Sequence, residues 1–314
     1  MGKKVGIIGC GNIAGGADSP QRETIQTHAK AISLHPDFEL NSCFDIDTGK
    51  AREFADLWRC GTCHTTVEEL LSAGNDILVV AAPTAAHARL LRMSADSDAE
   101  LIICEKPLVA DAAELDIVRD LRKNLVVNFI RRWDTSHQLV RKGIAQNQYG
   151  ALLAFNAFVA KGLLHNGAHL VDLLQHWFGE VENIEPLRAS LIEGDLFGDY
   201  RITIAGGVAG LVSVLSNVPY SFFEIELVFS GSRISLRDIG NEIVIQNAKP
   251  SKETPGFVHL ETVRTLESTL RKSLYNLYDD IANQKIDYAL ARTQTISASE
   301  MLFKLKDEVA HACD

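Results

Sequence analysis

The feature that most restricts how this chain can fold is a set of short apolar runs spaced by helical patterns. Asp76–Ala82 (DILVVAA), Leu101–Cys104 (LIIC) and Leu125–Ile130 show no alternation of polar and apolar residues. Strands of that kind are covered on both faces, as parallel strands joined by helical crossovers are. Val5, Ile7 and Ile8 begin the series, followed by Phe38–Phe44 and a short strand near Cys63–Thr65. Helical stretches fall between them at His28–Leu34, Lys50–Trp58, Val67–Leu71, Ala85–Met93 and Ala112–Arg122. This alternation from Val5 to Ile130 predicts an α/β domain built on a doubly wound parallel sheet.

Beyond residue 130 the pattern changes. Thr135–Gln146 and His169–Phe178 read as helices around a strand at Ala151–Ala160. Strand-like stretches then follow one another at Tyr200–Ile204, Ala209–Leu215, Phe222–Ser230, Arg233–Arg237 and Glu242–Asn247. Strands in succession without helices imply a largely antiparallel sheet. Helix returns at Leu266–Ala282 and Ala289–Leu305. A length of 314 residues suffices for two cores. The expected domains are 1–130, dinucleotide-binding, and 131–314, with the C-terminal helices able to pack back on the first.

The net charge of −10 argues against nucleic acid or an anionic membrane as the main partner. The longest apolar run, Ile77–Pro83, is too short to cross a bilayer, and no signal-peptide pattern precedes the first strand. A cytoplasmic location is expected. The six cysteines (Cys10, Cys43, Cys60, Cys63, Cys104 and Cys313) read as reduced, mostly buried thiols. Cys60-Gly-Thr-Cys63-His64 matches a c-type haem attachment signature, but that chemistry requires export, and one C-x-x-C pair cannot complete a zinc site. The match is read as coincidence, and no metal is expected.

Three patterns carry chemistry. Gly9-Cys10-Gly11-Asn12-Ile13-Ala14 follows the first strand as G-x-G-x-x-A. Gly9 allows a tight turn, Gly11 lets the backbone approach a pyrophosphate, and Ala14 permits close packing. Asp45, at the end of the second strand, can accept hydrogen bonds from ribose hydroxyls, with Asp47 as the alternate; the other reading of Asp45 is a cap on the next helix or turn. A carboxylate there favours NAD while leaving NADP open. Asp45 lies 34 residues beyond Gly11, against about 20 in the simplest fingerprint; the excess is Gly15–Thr27, either an ordered loop or an insertion.

Glu105-Lys106-Pro107 ends a strand where α/β sheets bind ligands, and Lys106 can reach a substrate hydroxyl. Lys161-Gly-Leu-Leu-His165-Asn166-Gly-Ala-His169-Leu-Val-Asp172 places His169, Asp172 and His176 on one helical face. Histidine can move a proton near neutrality. His165 and His169 alone lack a third metal ligand.

In order and spacing the set resembles the glucose–fructose oxidoreductase/inositol dehydrogenase (Gfo/Idh/MocA) family. The resemblance runs through GCGNIA, Asp45, Ala82-Pro83-Thr84-Ala85-Ala86-His87, Glu105-Lys106-Pro107, Asn128-Phe-Ile-Arg131-Arg132-Trp133 and Gly167-x-His169-x-x-Asp172. It implies a Rossmann domain followed by an α/β domain with a large open, mostly antiparallel sheet. It also implies NAD(P)-dependent hydride transfer on a sugar, polyol or nucleotide-linked sugar. Lys106 and His169 map to the catalytic positions, with His165 as a further acid–base candidate. Gly9, Gly11, Asn12, Ile13, Ala14, Asp45, Ala82, Pro83, His87, Glu105 and Lys106 map to the cofactor side. Lys106, Arg132, Lys161, Asn166, His169 and Asp172 map to the substrate side. Where the family commonly carries an Asp four residues before the histidine, this chain has His165. The alternatives are a non-catalytic NAD-binding sensor on the same fold and an NAD-dependent glycoside hydrolase. Apolar Phe222, Phe223, Ile225, Leu227 and Phe229 on an open sheet point to a homodimer or homotetramer.

Overall fold

The apolar runs become the centre of a six-stranded parallel sheet in a computed structural model that describes residues 2–268 and 270–313, with no account of the Cys313 side chain. The strands are β1 (Lys3–Ile8), β2 (Phe38–Phe44), β3 (Thr62–Cys63), β4 (Ile77–Val80), β5 (Leu101–Cys104) and β6 (Asn124–Val127). Their order is β3-β2-β1-β4-β5-β6, parallel throughout. Every residue of β4 and β5 is buried, as expected of strands covered on both faces. The chain reverses direction across the sheet between β1 and β4, and ligands of open α/β sheets bind beside such a switch point, at the carboxyl ends.

Five helices alternate with these strands: α1 (His28–Leu34), α2 (Thr48–Trp58), α3 (Val67–Leu71), α4 (His87–Ser94) and α5 (Leu115–Asp120). Asp47 caps α2 by accepting from Gly49 N (3.0 Å) and Lys50 N (3.2 Å), and Thr66 with Glu69 forms a reciprocal capping box on α3. The chain divides into two compact units, the first comprising residues 1–133 and 271–297. A late helix, Ser273–Ala282, therefore belongs with the parallel sheet. Its Leu274, Leu277, Tyr278 and Ile281 are buried in one cluster with Ala29 and Ile32 of α1, Phe54 and Trp58 of α2, and Val5, Ile7 and Val79 of the sheet.

The second unit comprises residues 134–270 and 298–314. It opens with α6 (Thr135–Ala145) and holds α7 (Ala168–Phe178) and strands β7 (Leu152–Ala160), β8 (Val181–Ile192), β9 (Asp195–Ile204), β10 (Val208–Leu215), β11 (Phe223–Phe229), β12 (Ser232–Arg237), β13 (Glu242–Pro250) and β14 (Val258–Glu267). The helices that follow are α8 (Ser273–Ala282) and α9 (Tyr288–Cys313). The eight strands form one sheet, β14-β13-β12-β11-β7-β10-β9-β8, antiparallel except between β7 and β10. One face buries Phe155, Val159, Val212, Phe223, Ile225, Leu227, Ile234 and Ile243. The opposite face exposes Phe158, Leu211 and Val228 among ion pairs such as Arg201–Glu185 and Arg233–Glu226. Phe223, Ile225, Leu227 and Phe229 are thus spent on the unit's own core rather than on an exposed face.

Two stretches differ from the sequence expectation. The helix expected over Leu266–Ala282 begins only at Ser273, because β14 continues to Glu267 as a strand whose side chains are almost all exposed. The region from Val181 is already strand; Pro186 sits in it at the sheet edge beside a register shift, where a missing N–H is tolerated.

Candidate active site

The glycine turn leaves the carboxyl end of β1 and crosses directly over the end of β4. Gly9 has φ +96°, and a Cβ there would lie 2.7 Å from Ala82 N and 2.8 Å from Ala81 C. Only glycine relieves both the backbone conformation and the contact. Gly11 is the opposite case: its φ is −78° and nothing lies within 4 Å of where a Cβ would stand. That open space is where a pyrophosphate needs room. The next residues, Asn12–Gly16, make a single π-helical turn rather than a helix, with Ala14 fully buried beneath it. The leading amides of Asn12, Ile13 and Ala14 head that turn, the position at which N–H groups lack intrahelical partners.

Asp45 locks this turn to the end of β2. Its Oδ2 accepts from Cys10 N at 2.7 Å and its Oδ1 from Asp47 N at 2.9 Å. Each carboxylate oxygen keeps a second lone pair for a ribose hydroxyl. Asp47 is the α2 cap described above. Gly15–Thr27 is an ordered loop: buried Asp18 accepts from Ser19 N and Gln26 N, and Ile25 N donates to Arg271 O. The residues present therefore fit a dinucleotide, with Gly11 supplying clearance, Asp45 supplying acceptors and Gly9 holding the turn against β4.

At the end of β5, Glu105 is buried and Lys106 half-buried, and the Lys106–Pro107 bond is cis. Glu105 Oε1 accepts from Asn128 Nδ2 at 2.7 Å and lies 2.9 Å from His28 Nε2. Burial by itself raises the Glu105 carboxyl; the bonds from His28, Asn128 and the Lys106 N–H outweigh it and hold the group below the usual carboxylate range. Burial lowers the Lys106 amine from its ordinary 10.5, Arg131 adds to that, and the Glu105 charge opposes it. His87 sits between the ends of β4 and β5, with Nδ1 2.9 Å from Pro107 O and Nε2 2.8 Å from Ala82 O. It is buried beneath the edge formed by Ala82 and Pro83. Arg131 and Arg132 are buried in the short turn after β6.

In the second unit, Lys161 (φ 67°) and Gly162 (φ 77°) turn β7 into a π-helical segment, Gly162–Gly167, that runs on into α7. A Cβ on Gly162 would collide with Asp195. That carboxylate accepts from Leu164 N (2.8 Å) and His165 N (3.1 Å), so it fixes the backbone that presents His165. Asn166 Nδ2 donates to Ala160 O, and the exposed Lys161 ammonium donates to Ser221 Oγ at 2.8 Å. His169 and Asp172 are buried on α7. Asp195 was not legible as a site residue from sequence, since nothing near it marks a pairing with a turn 30 residues earlier.

Cys60, Cys63 and His64 flank β3, with Cys63 in register with Cys43. Contact with Cys10 and burial raise the Cys43 thiol, and contact with Cys43 and burial raise that of Cys60, so both stay protonated. Among the described residues no group of three or more His, Cys, Asp or Glu is placed to hold a metal ion, and no helix is long and apolar enough to cross a membrane.

A parallel sheet of this order, a glycine turn over its switch point and an acid at the end of β2 define a dinucleotide-binding Rossmann domain. Residues 3–129 match the family described as "Oxidoreductase family, NAD-binding Rossmann fold" (Gfo/Idh/MocA). It is 31% identical over 155 residues to an inositol 2-dehydrogenase of Rhizobium meliloti (strain 1021), covering 48% of this chain and 43% of the relative. It is 28% identical over 215 residues to a glucose-6-phosphate 3-dehydrogenase of Bacillus subtilis (strain 168), covering 60% of this chain and 57% of the relative. The chain thus spans about half the length of these relatives. In fold it is similar over 99% of its length, and 97% of the other chain, to an oxidoreductase from Agrobacterium radiobacter crystallised with NAD+, L-tartaric acid and magnesium (TM-score 0.77, 15% identity).

The two glycines separate fold from binding. Gly9→Ala is expected to lower stability by about 2 kcal/mol or more in denaturant unfolding, from strain and backbone collision. Gly11→Ala is expected to leave stability within about 0.5 kcal/mol while weakening NAD roughly tenfold in calorimetric titration. Equal loss of stability in both would contradict this assignment. Asp45→Ser is expected to shift the NADP-to-NAD affinity ratio roughly tenfold towards NADP by removing a like charge, and an unchanged ratio would count against Asp45 at the ribose.

Proposed function

We propose that this chain is an NAD(P)-dependent dehydrogenase or reductase that transfers a hydride between nicotinamide and a carbinol or ketone of a sugar, polyol or nucleotide-linked sugar. The observation that carries the reading is Lys106: a half-buried amine of lowered proton affinity, beside an ionised carboxylate, at the same sheet edge as the Gly9–Ala14 turn. The names of the inositol and glucose-6-phosphate dehydrogenase relatives support the substrate class.

When bound, the nicotinamide supplies the hydride acceptor or donor. Gly9, Gly11, Asn12, Ile13, Ala14, Asp45, Ala82 and Pro83 hold the cofactor, while His87 and Glu105 brace that edge from below. Lys106 takes the proton of the substrate hydroxyl during oxidation and its charge stabilises the developing alkoxide; in reduction it returns the proton. His169 is the second acid–base group, and His165, set by Asp195, a substrate hydrogen-bonding group. Arg132, Lys161, Asn166 and Asp172 complete the substrate side. The exposed Phe158, Leu211 and Val228 on the open sheet face support a homodimer or homotetramer through that face.

Oxidation requires the neutral amine, whose fraction rises as pH passes upward through the Lys106 pKa. Since that pKa is lowered, the acid limb of the pH–rate profile is expected below 10.5. Lys106→Ala and His169→Ala are each expected to reduce kcat by about 10²–10⁴-fold in NADH-formation assays with myo-inositol, glucose 6-phosphate and nucleotide-linked sugars. Tight NAD binding with no turnover on any of these would favour a sensor instead.

A further inference from the structure

The proposed chemistry leaves one buried polar chain unused. Tyr278 Oη on α8 lies 3.0 Å from His28 Nδ1 at the start of α1, and His28 Nε2 lies 2.9 Å from Glu105 Oε1. Asn128 donates to the same carboxylate oxygen at 2.7 Å. His28, Tyr278 and Asn128 are at most 1% exposed, so no solvent replaces a lost bond. An ionised carboxylate only accepts, so His28 must present Nε2–H to it. Burial and the Glu105 charge keep the Tyr278 phenol protonated, and its Oη holds the His28 ring from the Nδ1 side. His28 and Asn128 thus both donate to Glu105, and Tyr278 secures His28.

The charges around this chain are few. Glu105 faces His28, Tyr278, Cys104 and Lys106, and the Cys104 thiol is kept neutral by burial and by the Glu105 charge. Lys106 faces Glu105 and Arg131. Burial and Arg131 both disfavour the ammonium form, which leaves Glu105 as the opposing charge. A carboxylate this deep takes up a proton once its donors are removed, since an unpaired buried charge is costly.

We infer that His28 and Tyr278 are positioning residues for Lys106: His28, held by Tyr278, donates to Glu105 and so fixes an anion beside the amine that exchanges the substrate proton. This rests on reading Lys106 as that acid–base group. The helix that returns from the far end of the chain to pack on the parallel sheet would then complete the acid–base machinery as well as the core.

The test measures Lys106 in the free protein without substrate. Acylation by acetic anhydride is followed between about pH 6 and pH 11, quantified at Lys106 by peptide mass spectrometry. Glu105→Gln removes the opposing charge, so the neutral amine appears at lower pH and Lys106 labels several-fold faster near pH 8. His28→Phe is expected to move the curve in the same direction, Tyr278→Phe less far, and His28→Gln, which keeps an N–H donor, back towards the parent. In a Glu105→Gln background the His28 and Tyr278 substitutions should add nothing. Should His28→Phe fail to fold, as judged by circular dichroism, Tyr278→Phe and His28→Gln give the reading. A curve unmoved by Tyr278→Phe and the His28 variants, or unmoved by Glu105→Gln, overturns the inference. Absence of turnover on every sugar with the labelling shifts intact would instead overturn the proposed function alone.

Discussion

The anion buried at Glu105 is the constraint on which the candidate site depends. A carboxylate removed from water has to be met by donors, and here they come from three separate elements: the start of α1, the residue after β6, and the backbone of Lys106 itself. Tyr278 on α8 secures one of those donors in turn. Satisfying one charge therefore fixes the relative placement of β5, β6, α1 and α8, and it does so directly behind the lysine that the proposed chemistry uses. A buried charge met by donors is weak evidence for stability but a strong determinant of arrangement, because removing its donors is costly.

The cofactor side rests on a second constraint, the close passage of the glycine turn over β4. With Gly9 pressed to Ala81 and Ala82, and Asp45 holding Cys10 N, the turn is fixed by contacts within the protein itself. Preorganisation of this kind lowers the cost of binding. The space beside Gly11 is then a property of the empty backbone rather than of a side chain that must move. His87, wedged between the carbonyls of Pro107 and Ala82, fills the space between the lysine turn and the Ala82–Pro83 edge.

Much of this frame was legible in the sequence, and the reasons differ by element. Strands such as Ile77–Val80 and Leu101–Cys104 declare themselves because burial on both faces leaves no polar position. Gly9, Gly11, Asp45 and Lys106 stand at the ends of strands that the apolar runs mark, although Asp45 departs from the simplest fingerprint spacing. β14 was not legible, since its side chains lie almost wholly exposed and its composition carries no period. The strand Val181–Ile192 begins a few residues before the strand-rich region read from about Leu187, at an edge whose outward residues carry no apolar pattern. His28 and Tyr278 were invisible for another reason: they stand 250 residues apart, and only the return of α8 to the first unit brings them together. Asp195 likewise acts on His165 through backbone amides, which no side-chain pattern records.

The central claim, that this chain transfers hydride between a carbinol and nicotinamide, is tested most directly by isotope transfer. The protein would be incubated with NAD and polyols or sugars deuterated at their carbinol carbons, beginning with myo-inositol and glucose 6-phosphate, and the cofactor analysed by proton NMR. Deuterium is expected at C4 of the reduced nicotinamide, delivered to one face only. Bound NAD with all the deuterium still on carbon, across the whole panel, would contradict the claim.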